Sequence, residues 1–199
     1  STRRARQAGA PVFAFPRGSL VLVGLVALSS GLGEGAMVDW SAVYLRDMIG
    51  TGASTATLGF AVFSVTMVVV RLCADPVVTR VGRGRVARAG GLSAVLGLAL
   101  VTGPLAVWAT FVGFVLMGIG YATLSPLAFS RAAADPILPP GQAIASVATF
   151  GYGAMLLGPP AIGFVAEASS LRLVFVLIGG LALLIAALAP VLEHPSADA

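Results

Sequence analysis

Glu34 and Asp39 are acidic residues inside the first long apolar run of the chain, in the segment GLGEGAMVDWSAVYL. A charged side chain within a membrane-crossing helix is costly and marks a functional site by default. Counted from Arg17 at about 1.5 Å per residue, Glu34 lies roughly 25 Å along a helix, past the midplane of a hydrocarbon core about 30 Å thick. We therefore expect Glu34 to face a water-filled cavity and to carry a proton or bind a solute, and Asp39 to lie near the outer surface.

Aromatic and hydroxyl side chains are further candidates for contact with a solute. In the first run, Trp40 and Tyr44 combine an aromatic surface with a hydrogen-bonding group. Later runs hold polar or helix-bending residues that are candidates to face the same cavity, namely Tyr121, Ser125, Pro126, Thr149 and Tyr152. An alternative interpretation stays open, in which a neighbouring helix satisfies Glu34 and the aromatic residues pack helices or form an interfacial belt.

Glycines surround the first of these carboxylates. Gly31, Gly33 and Gly35 flank Glu34, and each weakens a helix by about 1 kcal/mol relative to alanine. They predict a bend or a break, and discontinuous helices are where transporters tend to place their sites. Other closely spaced glycines are expected to let helices approach one another, and the segment 158–160, Gly-Pro-Pro, is expected to interrupt backbone bonding and bend its helix.

A second charged segment, RLCADPVVTRVGRGRVAR, runs from Arg71 to Arg88. Asp75 followed by Pro76 is typical of a residue pair that caps a short helical turn, so we expect a basic connection between two helices here. The arginines beyond are expected to pair with Asp75 or with carbonyl groups at a helix C-terminus. A solvated cluster that only sets membrane orientation is the alternative.

The elements that position these residues follow from composition and apolar runs. The 199 residues are 58% hydrophobic and 10% charged, whereas soluble domains are about 25% charged, which excludes a water-soluble globule. Six apolar runs are each about long enough to cross a bilayer. The prediction is an all-α membrane protein with six transmembrane helices over 19–45, 53–72, 86–102, 108–129, 143–166 and 171–192.

The basic residues predict the orientation of these helices. All twelve are arginines, and six crossings place ten of them on one side of the membrane, with Arg46 and Arg172 on the other. Cytoplasmic connections carry the excess of positive charge, so we expect both ends on the cytoplasmic side of the inner (plasma) membrane, with the lipid bilayer rather than nucleic acid as partner. Cys73 is the only cysteine and the chain has no lysine, so neither a cofactor, a metal site nor a P-loop is predicted.

The spacing of Asp75, Arg80, Gly82, Arg83 and Arg85 resembles the cytoplasmic loop signature of the major facilitator superfamily. The segments GEGAMVDWSAVYLRD, PGQAIASVATFGY and GYGAMLLGPPAIGFVAEASSLR are similar to bacterial, fucose-permease-like members. The resemblance implies the C-terminal six-helix half of a twelve-helix fold, in which residues 1–17 are the cytoplasmic linker, 18–192 the helices and 193–199 the cytoplasmic tail.

The same resemblance implies a function. A secondary active transporter of a small organic solute is expected, with the missing N-terminal half as its partner and alternating access as its mechanism. Asp75, Arg80, Arg83 and Arg85 are then a conformational latch. Whether the solute is sugar-like or drug-like, and whether protons drive its movement, stays open.

Three other classes of function are alternatives. A channel and a non-transporting membrane subunit are compatible with six helices, although the sequence has no carbonyl-filter motif. An intramembrane hydrolase would need Ser93 as nucleophile. The only histidine, His194, lies beyond the last apolar run and cannot easily act as its base, so we do not expect an enzyme.

Overall fold

The computed structural model describes residues 18–193, which form α-helices joined by short connections. They are α1 (Ser19–Asp47), α2 (Ala53–Val81), α3 (Arg83–Thr102), α4 (Val107–Tyr121), α5 (Leu124–Ala133), α6 (Pro140–Ala168) and α7 (Leu171–Leu188), with a 3-10 helix over Ala189–Leu192. Because α4 continues into α5 and α7 into the 3-10 helix, six segments are long and apolar enough to cross a membrane. The prediction of an all-α protein with six membrane-crossing helices is confirmed. The expected linker over 1–17 and His194 lie outside the described residues.

The second helix is longer than predicted. It continues nine residues past Leu72, since Val77, Val78 and Val81 extend the apolar pattern and Pro76 is accommodated inside the helix. The prediction that Asp75 and Pro76 cap a separate turn is therefore wrong. Gly82 alone connects α2 to α3, and its φ of +96° is a conformation that strongly favours glycine.

The glycines around Glu34 pack helices together instead of interrupting one. α1 is a continuous helix of 29 residues, so the predicted break is not found. A Cβ on Gly31 would lie 2.9 Å from the carbonyl oxygen of Gly151 in α6, and a Cβ on Gly33 would overlap the ring of Tyr121. α6 likewise continues through 159–160, so the prolines there do not break it either.

Close glycine contacts also join α3 and α4, the pair of helices with the most extensive packing. A Cβ on Gly113 would lie 2.6 Å from the carbonyl oxygen of Gly97, and a Cβ on Gly120 would lie 2.6 Å from that of Gly90. The two backbones therefore approach closely at two levels. This confirms the packing interpretation of Gly113 and Gly120. In lipid no hydrophobic force drives helices together, and small residues let the backbones approach closely enough for van der Waals packing to do so.

The helices differ in how much of their surface other helices cover. In the most apolar stretch of α1, 61% of the residues are buried, whereas the corresponding share is 22% in both α2 and α6. α1 packs against α2, α5, α6 and α7. The middle of α1 is therefore surrounded by other helices, while α2 and α6 present broad apolar faces outward.

Candidate functional site

Glu34 lies in the middle of α1, as the sixteenth of its 29 residues. Its carboxylate accepts hydrogen bonds at Oε1 from the Oγ of Ser30, at 3.1 Å, and from the Oγ of Ser125 in α5, at 3.0 Å. Its Oε2 lies 3.4 Å from Nη2 of Arg71 in α2, and the side chain is 23% exposed. Three donors from three helices thus hold one carboxylate that still reaches the surface of the bundle.

Arg71 also contacts the backbone where the fourth membrane-crossing segment bends. α4 ends at Tyr121 and α5 begins at Leu124, and Nε of Arg71 donates to the carbonyl oxygen of Ala122 at 2.9 Å. In a continuous helix that carbonyl would accept from the N–H of residue 126, but Pro126 has none. Arg71 therefore supplies the donor that proline removes.

Sequence reasoning counted Arg71 only as one charge of a basic connection. The reason is that the apolar run predicts the end of the second helix at Leu72, which leaves Arg71 at its terminus. Val77 and Val78 were the available signal, because apolar residues beyond Asp75-Pro76 indicate a helix that continues and places Arg71 within it. Ser30 was not singled out, and Ser125 was proposed only for its position.

Glu34 and Ser125 line a cleft between α1, α5 and α6. Tyr152, which is 66% exposed, lies on its α6 side, and the remaining lining comes from Ala27, Gly31, Phe129, Gly151 and Met155. The volume is about 180 Å³. Small-molecule sites usually measure about 300–1,000 Å³, so the cleft is part of a site rather than a complete one.

Tyr121 and Thr149 lie close to this cleft but contact other groups. Tyr121 is fully buried against Gly33, the neighbour of Glu34, and its hydroxyl has no hydrogen-bond partner among residues 18–193. The Oγ1 of Thr149 donates to the carbonyl oxygen of Ala145 at 2.9 Å. Thr149 lines an adjacent apolar groove between α1 and α6.

The three candidates nearer the C-terminal end of α1 are separate from the cleft. Asp39 is exposed, and Trp40 is half-buried with its ring over Gly163 of α6, where a Cβ would lie 3.3 Å away. Tyr44 is fully buried, donates to the carbonyl oxygen of Val101 at 2.8 Å, and stacks 4.6 Å from the ring of Phe175. The structure thus places Tyr44 in the packing between α1, α3 and α7.

The proposed latch residues do not form one cluster. Asp75 on α2 and Arg83 on α3 line a common groove, which Arg71 and Pro126 also line. Arg85 faces a different, largely apolar groove beside Cys73. Arg80 lies exposed in the last turn of α2.

A second ion pair, this one buried, lies where α5 connects to α6. Arg131 Nη1 and Asp135 Oδ2 are 3.9 Å apart, with side chains 6% and 4% exposed. Asp135 Oδ1 accepts from the N–H groups of Ile137 and Leu138, and Arg131 Nη2 reaches the Oγ of Ser19 at 3.4 Å. Sequence reasoning missed Asp135, which lies two residues past the end of α5, where the spacing of four residues still brings it close to Arg131.

Two other kinds of site find no support in the described part of the chain. Ser93, the candidate nucleophile of a hydrolase, donates its hydroxyl to the carbonyl oxygen of Leu116 at 2.8 Å. Within residues 18–193 no three acidic, histidine or cysteine side chains are grouped so as to hold a metal ion.

Comparison with known proteins identifies the family. Residues 9–198 match the model of the Major Facilitator Superfamily. An uncharacterized transporter of Sinorhizobium fredii is 56% identical over 98% of this chain and 52% of its own length. An uncharacterized MFS-type transporter of Yersinia pestis is 38% identical over 89% of the chain and 46% of its own length, and the membrane protein MosC of Rhizobium meliloti is 31% identical over 81% and 40%.

The chain spans about half the length of these relatives. Its six apolar helices and the match over nearly all of its residues agree on a multi-pass membrane protein. The resemblance recognised in the loop signature is thereby confirmed: the chain belongs to the Major Facilitator Superfamily of transporters.

Proposed function

We propose that this chain is the six-helix half of a secondary active transporter that moves a small organic solute by alternating access, and that it acts through no enzymatic step. The observation that carries the proposal is Glu34, a carboxylate at the middle of a membrane-crossing helix, held by Ser30, Ser125 and Arg71 and open to a cleft. Such a group is costly in a membrane and marks a functional site by default.

The other half of the site comes from a second six-helix unit. The cleft beside Glu34 is too small for a complete solute site, and the apolar faces of α2 and α6 are largely uncovered. A partner half that packs on these faces would close the cleft from the opposite side. The relatives, which are about twice as long, support such a unit.

Energy comes from a proton gradient in this proposal. A carboxylate held by one ion pair and two hydroxyl groups changes its contacts when it takes up a proton, because a neutral carboxyl attracts the guanidinium of Arg71 more weakly and gains an O–H donor of its own. Tyr152, on the exposed wall of the cleft, contacts the solute. At the arginine-rich, cytoplasmic end of the bundle, Asp75, Arg80, Arg83 and Arg85 stabilise one of the two conformations.

The test uses the full-length transporter in proteoliposomes with an internal pH dye and a panel of radiolabelled hexoses, polyols, amino acids and carboxylates. We expect saturable uptake of one class, driven by an acidic exterior. Glu34→Gln should abolish the acid-driven component, since an amide keeps the shape of the side chain but binds no proton. Glu167→Gln is the matched control, because Glu167 is exposed near the end of α6, away from the cleft.

Two results would contradict the proposal. Uptake by Glu34→Gln with the rate and pH dependence of the parent would remove the role of Glu34. Flux that rises linearly with solute concentration, without saturation or accumulation, would favour a channel over a transporter.

A further inference from the structure

Arg71 contacts both the carboxylate of Glu34 and a backbone carbonyl that lacks its helical hydrogen-bond donor. One end of the guanidinium, Nη2, faces Glu34 at 3.4 Å, and Nε donates to the carbonyl oxygen of Ala122 at 2.9 Å. Because Pro126 carries no N–H, that carbonyl has lost its donor within the helix. A single side chain therefore pairs with the carboxylate of Glu34 on α1 and donates to the backbone carbonyl at the bend between α4 and α5.

We propose that Arg71 is a positioning residue that couples the charge of Glu34 to the bend between α4 and α5. The inference rests on the proposed function of Glu34 and deepens it, since it names the element that responds when Glu34 is neutralised. The planar guanidinium of arginine suits this role, because its N–H groups point in fixed directions and can donate to two acceptors at once.

Neutralisation of Glu34 removes the ion pair at one end of the Arg71 guanidinium and leaves only a weaker, uncharged acceptor there. Arg71 is 41% exposed, so its guanidinium is free to turn once the ion pair is lost. An alternative acceptor is close: Asp75 lies one turn further along α2 and lines the same groove as Arg71, Ala122 and Pro126. Arg71 then leaves the carbonyl of Ala122, and the bend loses its donor.

The polar groups around Glu34 come from every helix that forms its surroundings. α1 supplies Ser30, α5 supplies Ser125, and α2 supplies Arg71. Tyr121 of α4 is buried against the neighbouring Gly33, and Tyr152 of α6 lines the cleft. Arg71 is the cation that contacts Glu34 among the described residues, so a change in the charge of Glu34 acts first on this side chain.

The experiment measures amide hydrogen exchange of the segment 119–127 in the full-length transporter, at neutral and at acidic pH. Protection factors are compared, because they remove the intrinsic pH dependence of exchange. In the parent we expect protection to fall about tenfold on acidification, the loss of one charge-assisted hydrogen bond. Arg71→Gln and Glu34→Gln should both show the low protection factor of the acidified parent at either pH. The control Arg88→Gln, at an exposed position on α3, should show the same pH-dependent protection as the parent.

Pro126→Ala provides a test that does not depend on the folding of the Arg71 variant. Alanine restores the N–H that bonds to the carbonyl of Ala122, so protection should be high at both pH values, in the parent background and together with Arg71→Gln. If Pro126→Ala keeps the pH dependence of the parent, the coupling proposal is overturned.

The remaining outcomes separate this inference from the proposed function. Parent-like, pH-dependent protection in Arg71→Gln overturns the coupling, even where Glu34→Gln abolishes acid-driven uptake and so supports Glu34 as the transport site. The converse result is that Arg71→Gln removes the pH dependence of protection while Glu34→Gln transports normally. That result supports the coupling to the bend and contradicts the transport role of Glu34.

Discussion

Tyr44 and Tyr121 are both fully buried, but their hydroxyl groups differ in how they are satisfied. The hydroxyl of Tyr44 donates to the carbonyl oxygen of Val101 at 2.8 Å, and that of Tyr121 has no partner among residues 18–193. Leaving a buried polar group unpaired costs about 1–3 kcal/mol, whereas a satisfied hydrogen bond contributes about 1 kcal/mol. We therefore expect Tyr44→Phe to lower the unfolding temperature and Tyr121→Phe to leave it unchanged or raise it.

Thermal unfolding of the two variants in detergent, followed by circular dichroism, measures this difference. The substitutions are chemically identical, so each is the control for the other. A loss of stability in Tyr121→Phe would show that solvent or another part of the protein supplies a hydrogen-bond partner for its hydroxyl.

Sequence reasoning identified Glu34 but missed the cation that contacts it. A lone carboxylate inside an apolar run is visible without a structure, because its cost in a membrane does not depend on its neighbours. Arg71 lies 37 positions away, and its role depends on which helices pack together. The same limit applies to Tyr44, whose burial between α1, α3 and α7 is set by tertiary packing and not by its place in the sequence.

At the scale of the helices, glycine positions divide into those that touch a neighbour and those that do not. A Cβ on Gly113 of α4 would lie 2.6 Å from the backbone of Gly97, whereas a Cβ on Gly180 of α7 meets nothing within 4 Å. Gly113→Ala should therefore destabilise the protein by about 1–3 kcal/mol, as overpacking does. Gly180→Ala should be neutral or stabilising by up to about 1 kcal/mol, since alanine is the better helix former.

Unfolding in detergent compares the two glycine variants directly. Equal stability of both would mean that α3 and α4 separate without cost, and would contradict the close approach at Gly97 and Gly113. The comparison also isolates packing from helix propensity, because propensity favours alanine at both positions.

Helix number was predictable from the sequence, but only one of the expected helix interruptions is present in the structure. Apolar runs of suitable length gave six membrane-crossing segments, because the bilayer itself fixes that length. Pro76 and the prolines at 159–160 were expected to end or interrupt helices, but they lie inside them. Pro126 was expected to bend its helix, and the fourth segment breaks just ahead of it, at 122–123. Whether a proline interrupts a helix depends on what satisfies the freed carbonyl, and this is decided by neighbouring helices.

For the whole molecule, the distribution of charge predicts its orientation in the membrane. In the described residues, five arginines (Arg80, Arg83, Arg85, Arg88 and Arg131) lie at or toward one end of the helical bundle, and Arg46 and Arg172 belong to the other. The cytoplasmic side carries the excess of arginine in bacterial membrane proteins. The connection between α5 and α6 is therefore expected inside the cell, and the connection between α1 and α2 outside.

Single cysteines test this orientation in a Cys73→Ser background. Gly52→Cys, between α1 and α2, and Gly141→Cys, at the start of α6, are both exposed positions where a side chain meets no neighbour. A membrane-impermeant maleimide should label the first in intact cells and the second only in inverted vesicles. The reverse pattern would place the arginine-rich end outside, so that the groove shared by Asp75 and Arg83 would open to the exterior and a cytoplasmic latch at those residues would be excluded.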